Sequence, residues 1–365
     1  MIAAKLYGTV YLVVVAILTF IQMSKYSGYS DDRLQQSAKL SSIPTIILAI
    51  VLTLFIGFRP MSGVFVDMLN YNIFYGVRFG RDFSFQNDTE NFIFDNLFSY
   101  LASNRYEITV FFLLIAAIYF GCMYLACKKM FPRDSFFAYI IYLAAFSTFS
   151  YATNGVKAGA ATSLFLCALA YRNERWWKSW IFLFLSLGFH HSMILPIGSY
   201  IVCTTYKNTR VYLSFWVICI LIAASHISFF QDLFKTMSDE SGVGYLSGTE
   251  TNGISNGFRP DFIFYSSFPV IAGCYTVIIN KYRSKFYAFI FNVYLLTNAV
   301  WMLCMYASFT NRIAYLSWFM LPIVLIYPFF DKQFILRQYK KLNLVAGCHL
   351  MFTILMQVVY YAYLK

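Results

Sequence analysis

Apolar runs near the roughly 20 residues that carry a helix across a bilayer recur along the whole chain, and they constrain the fold before any motif does. They fall at 5–23, 42–58, 107–127, 135–152, 156–171, 177–190, 192–206, 211–230, 262–280, 286–308, 312–328 and 343–362. Backbone amides in hydrocarbon find no water to bond, so such runs fold as helices whose hydrogen bonds close internally. Charged residues make up 12% of the chain and its mean hydropathy is +0.61, whereas soluble domains carry roughly 25% charged residues. The predicted fold is therefore an all-α polytopic integral membrane protein of about 10–12 transmembrane helices. The 177–206 pair has short arms that also fit a re-entrant hairpin. No stretch between the runs is long enough for a separate soluble domain, so residues 1–365 are expected to form a single transmembrane domain with larger external loops at 59–106 and 231–261. The first run lacks a strongly basic start, and "TFIQMSKYSG" is a poor cleavage site, so it is expected to be a retained span.

The net charge is +12, with 28 Lys and Arg against 16 Asp and Glu. The cations are scattered among short loops, which argues against nucleic acid as a partner and for the positive-inside rule. Loops 24–41, 128–134, 172–178, 205–210, 281–285 and 331–341 hold 18 of the 28 basic residues and five of the 16 acids, a balance of +13; everything else sums to −1. The basic loops are expected in the cytoplasm. That puts 59–106, 153–157, 190–192, 231–261 and 309–311 outside, away from ATP and nucleotide sugars. All eight cysteines lie in apolar runs with no C-x-x-C pair, which reads as small buried hydrophobes rather than disulfides or a zinc site.

Five polar clusters meet the expected outer face. "GFRPMSGVFVDMLNYNIFYG" carries Arg59 at a span end, then Asp67 and Tyr71. Arg59 reads either as an interfacial arginine snorkelling to water or as part of a site. "NGVKAGAATSLF" places Asn154 and Lys157 at the start of an apolar helix, where a cation opposes the macrodipole. Lys157 is thus either interfacial or matched by an anion. "SLGFHHSMILPIG" puts His190 and His191 in an apolar setting. One of the pair can be satisfied structurally by a neighbouring helix, but intramembrane ionisable residues default to function, and imidazole suits proton transfer near neutral pH. Adjacent helical residues point about 100° apart, so one of the two is expected to face a pocket. "NGFRPDFIF" repeats the Phe-Arg-Pro triplet with Arg259 and Asp261, and "FTNRIAYL" carries Arg312 between two apolar runs. Guanidinium forks and an ammonium bind phosphate oxygens. Arg59, Lys157, Arg259 and Arg312, with His and Asp nearby, suit the pyrophosphate of a polyprenyl-diphosphate lipid.

The order of these motifs resembles the EpsG/Wzy group of bacterial polysaccharide polymerases along nearly the whole chain. An FRP-type arginine precedes Asp67, Asn70 and Tyr71, with Glu90 following. Then come an Asn-Gly-x-Arg-like helix start at Asn154, Gly155 and Lys157, a Phe-His-x-Ser at Phe189, His190 and Ser192, and Asn311-Arg312-Ile313. Similar proteins usually carry Arg, often followed by Gln, where this chain has Lys157-Ala158.

The resemblance implies a GT-C-like glycosyltransferase architecture in the bacterial cytoplasmic membrane, with its active site facing the exterior. It implies polymerisation of undecaprenyl-diphosphate-linked oligosaccharide repeat units into O-antigen, capsule or exopolysaccharide. His190, Arg59 and Arg312 would be catalytic. Asp67, Tyr71, Asn154, Lys157, Arg259 and Asp261 would bind substrate. Partners would be the lipid-linked oligosaccharide, the bilayer, and a flippase and chain-length regulator of the same pathway. No Asp-x-Asp pair is present, so neither metal nor other cofactor is expected. The rivals are a transporter of lipid-linked oligosaccharide, for which an internal repeat would be expected, and a membrane O-acyltransferase, which would need a route to a cytoplasmic thioester.

Overall fold

In the computed structural model, residues 2–29, 42–226, 257–307 and 310–363 are described. The helices are α1 (Tyr7–Ser27), α2 (Ile43–Gly57), α3 (Val66–Arg78), α4 (Phe92–Ser103), α5 (Ile108–Met130), α6 (Ser135–Leu143), α7 (Phe146–Thr153) and α8 (Val156–Tyr171), then α9 (Trp176–Phe189), α10 (Ile194–Thr205), α11 (Thr209–Ala224), α12 (Pro260–Cys274), α13 (Lys285–Leu303), α14 (Thr310–Trp318), α15 (Leu321–Asp331) and α16 (Gln338–Tyr363). Among the described residues there is no strand. Among the described residues, six segments are long and apolar enough to cross a membrane: Ala4–Ser27, Ile108–Met130, Pro260–Ile279, Lys285–Leu303, Thr310–Asp331 and Gln338–Val359. The bent α6–α7 pair fits a seventh, and α2, α8 and α11 are shorter apolar helices. The chain is an all-helical polytopic membrane protein. Most of the expected 231–261 loop lies outside the described residues.

Its contacts divide into two compact units, Met1–His190 with Phe329–Lys365, and His191–Pro328. In the first unit α8 packs between α5 and α9. Its sequence "VKAGAATSLFLCALAY" is rich in small residues, which let membrane helices approach closely, and it is buried almost throughout. Hydroxyls and a thiol lace its faces. Ser186 donates to the Ala161 carbonyl at 2.7 Å, Ser179 to Ala168 at 2.7 Å, and Cys167 to Cys122 at 3.1 Å. All eight cysteines are free.

The 135–152 run, expected as one span, is two helices bent by 74°. The bend releases carbonyls that lipid cannot satisfy, and side-chain hydroxyls replace the lost donors. Thr148 donates to Tyr142 at 2.6 Å, Tyr11 to Leu143 at 2.7 Å, and Thr353 to Ala144 at 2.7 Å. Residues 59–106, expected as a loop, contain α3 and α4. Helix α3 leaves Val66, Leu69, Ile73, Phe74 and Val77 exposed along one stripe, the pattern of a helix lying in the membrane interface. It buries Met68 and Tyr75 on its other side.

In the second unit α13 is central and packs against α10, α11, α12 and α14. A buried polar network joins four of these helices. Asn298 accepts from Trp216 Nε1 at 2.7 Å and donates to Ser266 at 3.1 Å and to Ser317 at 2.9 Å, while Trp318 Nε1 donates to Ser266 at 2.8 Å. Such a network is worth keeping only when its polar atoms are paired.

Candidate functional site

The first unit brings His190 into a polar cluster. Helix α9 ends at His190, whose backbone is extended (φ −153°, ψ 117°) while its N–H still donates to Ser186. His191 opens a 3₁₀ turn, His191–Met193. The two histidines are therefore not neighbours on one helix, and the 100° argument does not govern them. Pro196 lies in the first turn of α10, where a proline is tolerated. His191 belongs to the second unit and His190 to the first.

Helix α4 packs against α9 and presents the partner. A Cβ on Gly188 would lie 2.6 Å from the end of the Ile93 side chain, so the bare glycine lets α4 approach closely. Phe94 and Phe189 meet edge to face at 6.3 Å. Upstream of α4, Asn96 pins the chain by accepting from the Gln86 N–H and donating to the Gln86 carbonyl, both at 2.9 Å. Asn91, the buried N-cap residue of α4, is thereby held with its Oδ1 3.3 Å from His190 Nδ1.

An amide oxygen only accepts, so with this amide orientation Nδ1 carries the proton and Nε2 is the basic nitrogen. The Asn91 side chain also lies close enough to the Asp95 carboxylate to lower its pKa. Burial raises the Asp95 pKa above its ordinary value, opposed by the charge of Lys157, by the Asn91 donors and by Arg78. An imidazole in contact with an amide thus has a carboxylate near that amide, with an ammonium in Coulomb range of the carboxylate. This arrangement orients an imidazole, as a base with an orienting third group requires.

Neither Asn91 nor Asp95 was among the sequence candidates. The missed signal was "DTENFIFDNLF", an asparagine directly before a helical apolar pattern with an acid four residues on. Lys157 sits in the first turn of α8, and Asp95 is the carboxylate whose charge it feels.

Arg59 is 5% exposed and does not snorkel. It follows α2 and spans to the end of α7, donating from Nη1 to the Ile56 carbonyl at 2.8 Å and from Nη2 to Thr153 at 3.2 Å. Its guanidinium lies over the Phe112 ring at 4.6 Å, and its Nε is buried without a partner. Asn154, adjacent to Thr153, likewise has a buried Oδ1 with no hydrogen bond. Tyr71 sits among Phe94, Phe98, Phe111 and Phe112. Asp67, one turn before Tyr71, lies in the first turn of α3, where an acid favours the dipole.

Arg259, Asp261 and Arg312 belong to the second unit. Arg259 is satisfied locally. Its Nε and Nη2 donate to Asp261 at 3.0 and 2.6 Å, and it stacks on Phe262 at 3.7 Å. Arg312 is exposed in the first turn of α14. That helix start is anchored by Trp301 Nε1, which donates to the Thr310 hydroxyl at 2.9 Å.

No curated protein and no solved structure matches the chain. The model of one family, described as the EpsG family, matches residues 42–365, a range that takes in α2 through α16 and every residue of the His190 cluster, and the chain belongs to that family.

Proposed function

We propose that this protein is a membrane glycosyltransferase that polymerises lipid-linked oligosaccharide repeat units into a surface polysaccharide. Membership of the EpsG family and the Asn91–His190 contact support this reading, and the contact carries it. Both units work as one membrane domain in the bacterial cytoplasmic membrane, with the site facing the exterior. The donor is a growing glycan on undecaprenyl diphosphate, and the acceptor is the next lipid-linked repeat unit.

His190 Nε2 takes the proton from the acceptor hydroxyl as that oxygen attacks the anomeric carbon. The carbon–oxygen bond to the lipid diphosphate breaks, and the diphosphate leaves with the bonding electrons. Asn91 holds the imidazole, and the Asp95 carboxylate, through the amide, favours the imidazolium that forms. Arg59 stabilises the charge growing on the leaving pyrophosphate. Lys157, Asn154, Tyr71 and Asp67 line the donor and acceptor sites. The reaction proceeds without a metal ion.

Glycan length in a deletion strain tests the reading. Single repeat units on the lipid anchor are expected. Absence of surface glycan would make the protein a transporter, and full-length chains lacking acyl groups would make it an acyltransferase.

A further inference from the structure

Two turns of the second unit, between α10 and α11 and between α12 and α13, border one cavity of about 520 Å³. Lys207, Arg210, Lys281 and Arg283 line it, and no acidic residue is among its lining residues. Lys207, Arg210 and Lys281 bring three like charges to one cavity, and an anion there lowers their mutual repulsion. The backbone adds to the positive field, because Thr209, the first residue of α11, is also in the lining. A helix N-terminus presents the positive end of its dipole, and the Asn208 side chain in the same lining takes the Arg210 N–H at 3.1 Å.

The opposite wall is unusual in its backbone. After α12 the chain makes one π turn, Tyr275–Ile279, and then places Lys281 at φ 50°. Glycine takes that left-handed conformation freely at a helix end, and an L-residue is strained there. Lysine at this position points to use of its side chain. Val277 and Ile278 complete the lining, and Ile279 beside them is 68% exposed. The cavity is therefore cationic at the loop residues and apolar along the π turn that ends the Pro260–Ile279 segment, a span end where the headgroups of the bilayer meet its acyl chains.

We propose that this cavity is a binding site for a phosphate-bearing anion, supplied by the headgroup of an anionic phospholipid whose acyl chains run along the apolar wall. It lies in a different part of the chain from the His190 cluster, and does not depend on the polymerase reading. Both turns belong to the basic loop set, whereas the polymerase donor is assigned to the other face.

The test uses the full chain purified in detergent, titrated with phosphatidylglycerol in phosphatidylcholine mixed micelles and, separately, with inorganic phosphate. The wild type is expected to bind phosphatidylglycerol in preference to phosphatidylcholine. A juxtamembrane cation contributes about fivefold in affinity, so Arg210→Gln with Lys281→Gln should weaken binding on the order of twentyfold. Lys340→Gln with Lys341→Gln, an equal charge loss in another basic loop, should change it less than about twofold, as screened surface charges do. Lys281→Gly suits the local backbone and removes only the cation, so it should keep its melting temperature and still lose about fivefold. Binding of inorganic phosphate with the same dependence on Arg210 and Lys281 would support the site and reassign its source to a soluble phosphate. Equal losses in the two double variants, unchanged binding in Lys281→Gly, or no preference for any phosphate anion would overturn the proposal.

Discussion

The tripeptide Phe-Arg-Pro occurs twice, at 58–60 and 258–260, each time beside an apolar helix. The first arginine is buried and joins the ends of α2 and α7 through two backbone carbonyls. The second folds back onto the carboxylate two residues on and the ring after it. The surroundings account for the difference. Position 261 is Asp, whereas position 61 is Met, so Arg59 has no acid at hand and finds carbonyls left open by helix ends. Arg59 also has an aromatic ring, Phe112, from another helix beneath it. The same local sequence therefore yields a strut in one unit and a self-contained surface pair in the other. Recurrence of a motif is no measure of shared function.

The largest expected effect separates these two arginines. Arg59→Lys keeps a charge but cannot reach both carbonyls, and each buried polar group left unmet costs about 1–3 kcal/mol. Its melting temperature should fall clearly, and loss of a donor to the leaving group, on the order of a hundred- to a thousand-fold in rate, should leave mostly single repeat units. Arg259→Lys should retain long chains and near-wild-type stability. Equal damage from both would erase the contrast.

Next in size is the histidine pair. His190→Ala should stop chain growth at normal membrane levels, since a general base contributes about 10²–10⁴-fold, and His191→Ala should be tolerated. The reverse result would move the function to the second unit. Asn91→Ala should give a smaller loss, because it frees the imidazole without removing it; glycan chains shorter than wild type but longer than one unit would show this. An Asn91→Ala strain with full-length chains would leave the amide without a part in orientation.

The smallest effect is expected from Asp261→Met, which gives the second triplet the neighbour of the first. The pair it breaks is partly solvated, with Asp261 44% exposed. Such pairs are worth less than about 1 kcal/mol, and thermal denaturation should register little. A loss of several kcal/mol would show that Arg259 does more than close on its own acid.

Hydropathy made most of the fold legible. The runs at 107–127, 156–171 and 262–280 correspond to α5, α8 and the Pro260–Ile279 span within a few residues. The break at Ala144 was not legible, because the donors that make it tolerable come from Tyr11 and Thr353, far away in the chain. The helical content of 59–106 was hidden by its charge and polarity, although α3 carries a clear apolar stripe. His190 stood out as an ionisable group in an apolar run. Asn91 did not, since an uncharged residue in a polar segment carries no signal until the helix it caps is recognised. Arg59 was legible as a cation at a span end, but its burial was not, because Thr153 and Phe112 reach it only through tertiary packing.

The most direct measurement is chain growth by the purified protein in proteoliposomes, supplied with one defined lipid-linked repeat unit. Wild-type protein should convert it into a ladder of glycans differing by one unit, releasing one lipid diphosphate per addition, and His190→Ala in matched vesicles should leave the single unit unchanged. A wild-type sample that produces no ladder, or a ladder of equal rate and length from His190→Ala, would contradict the account.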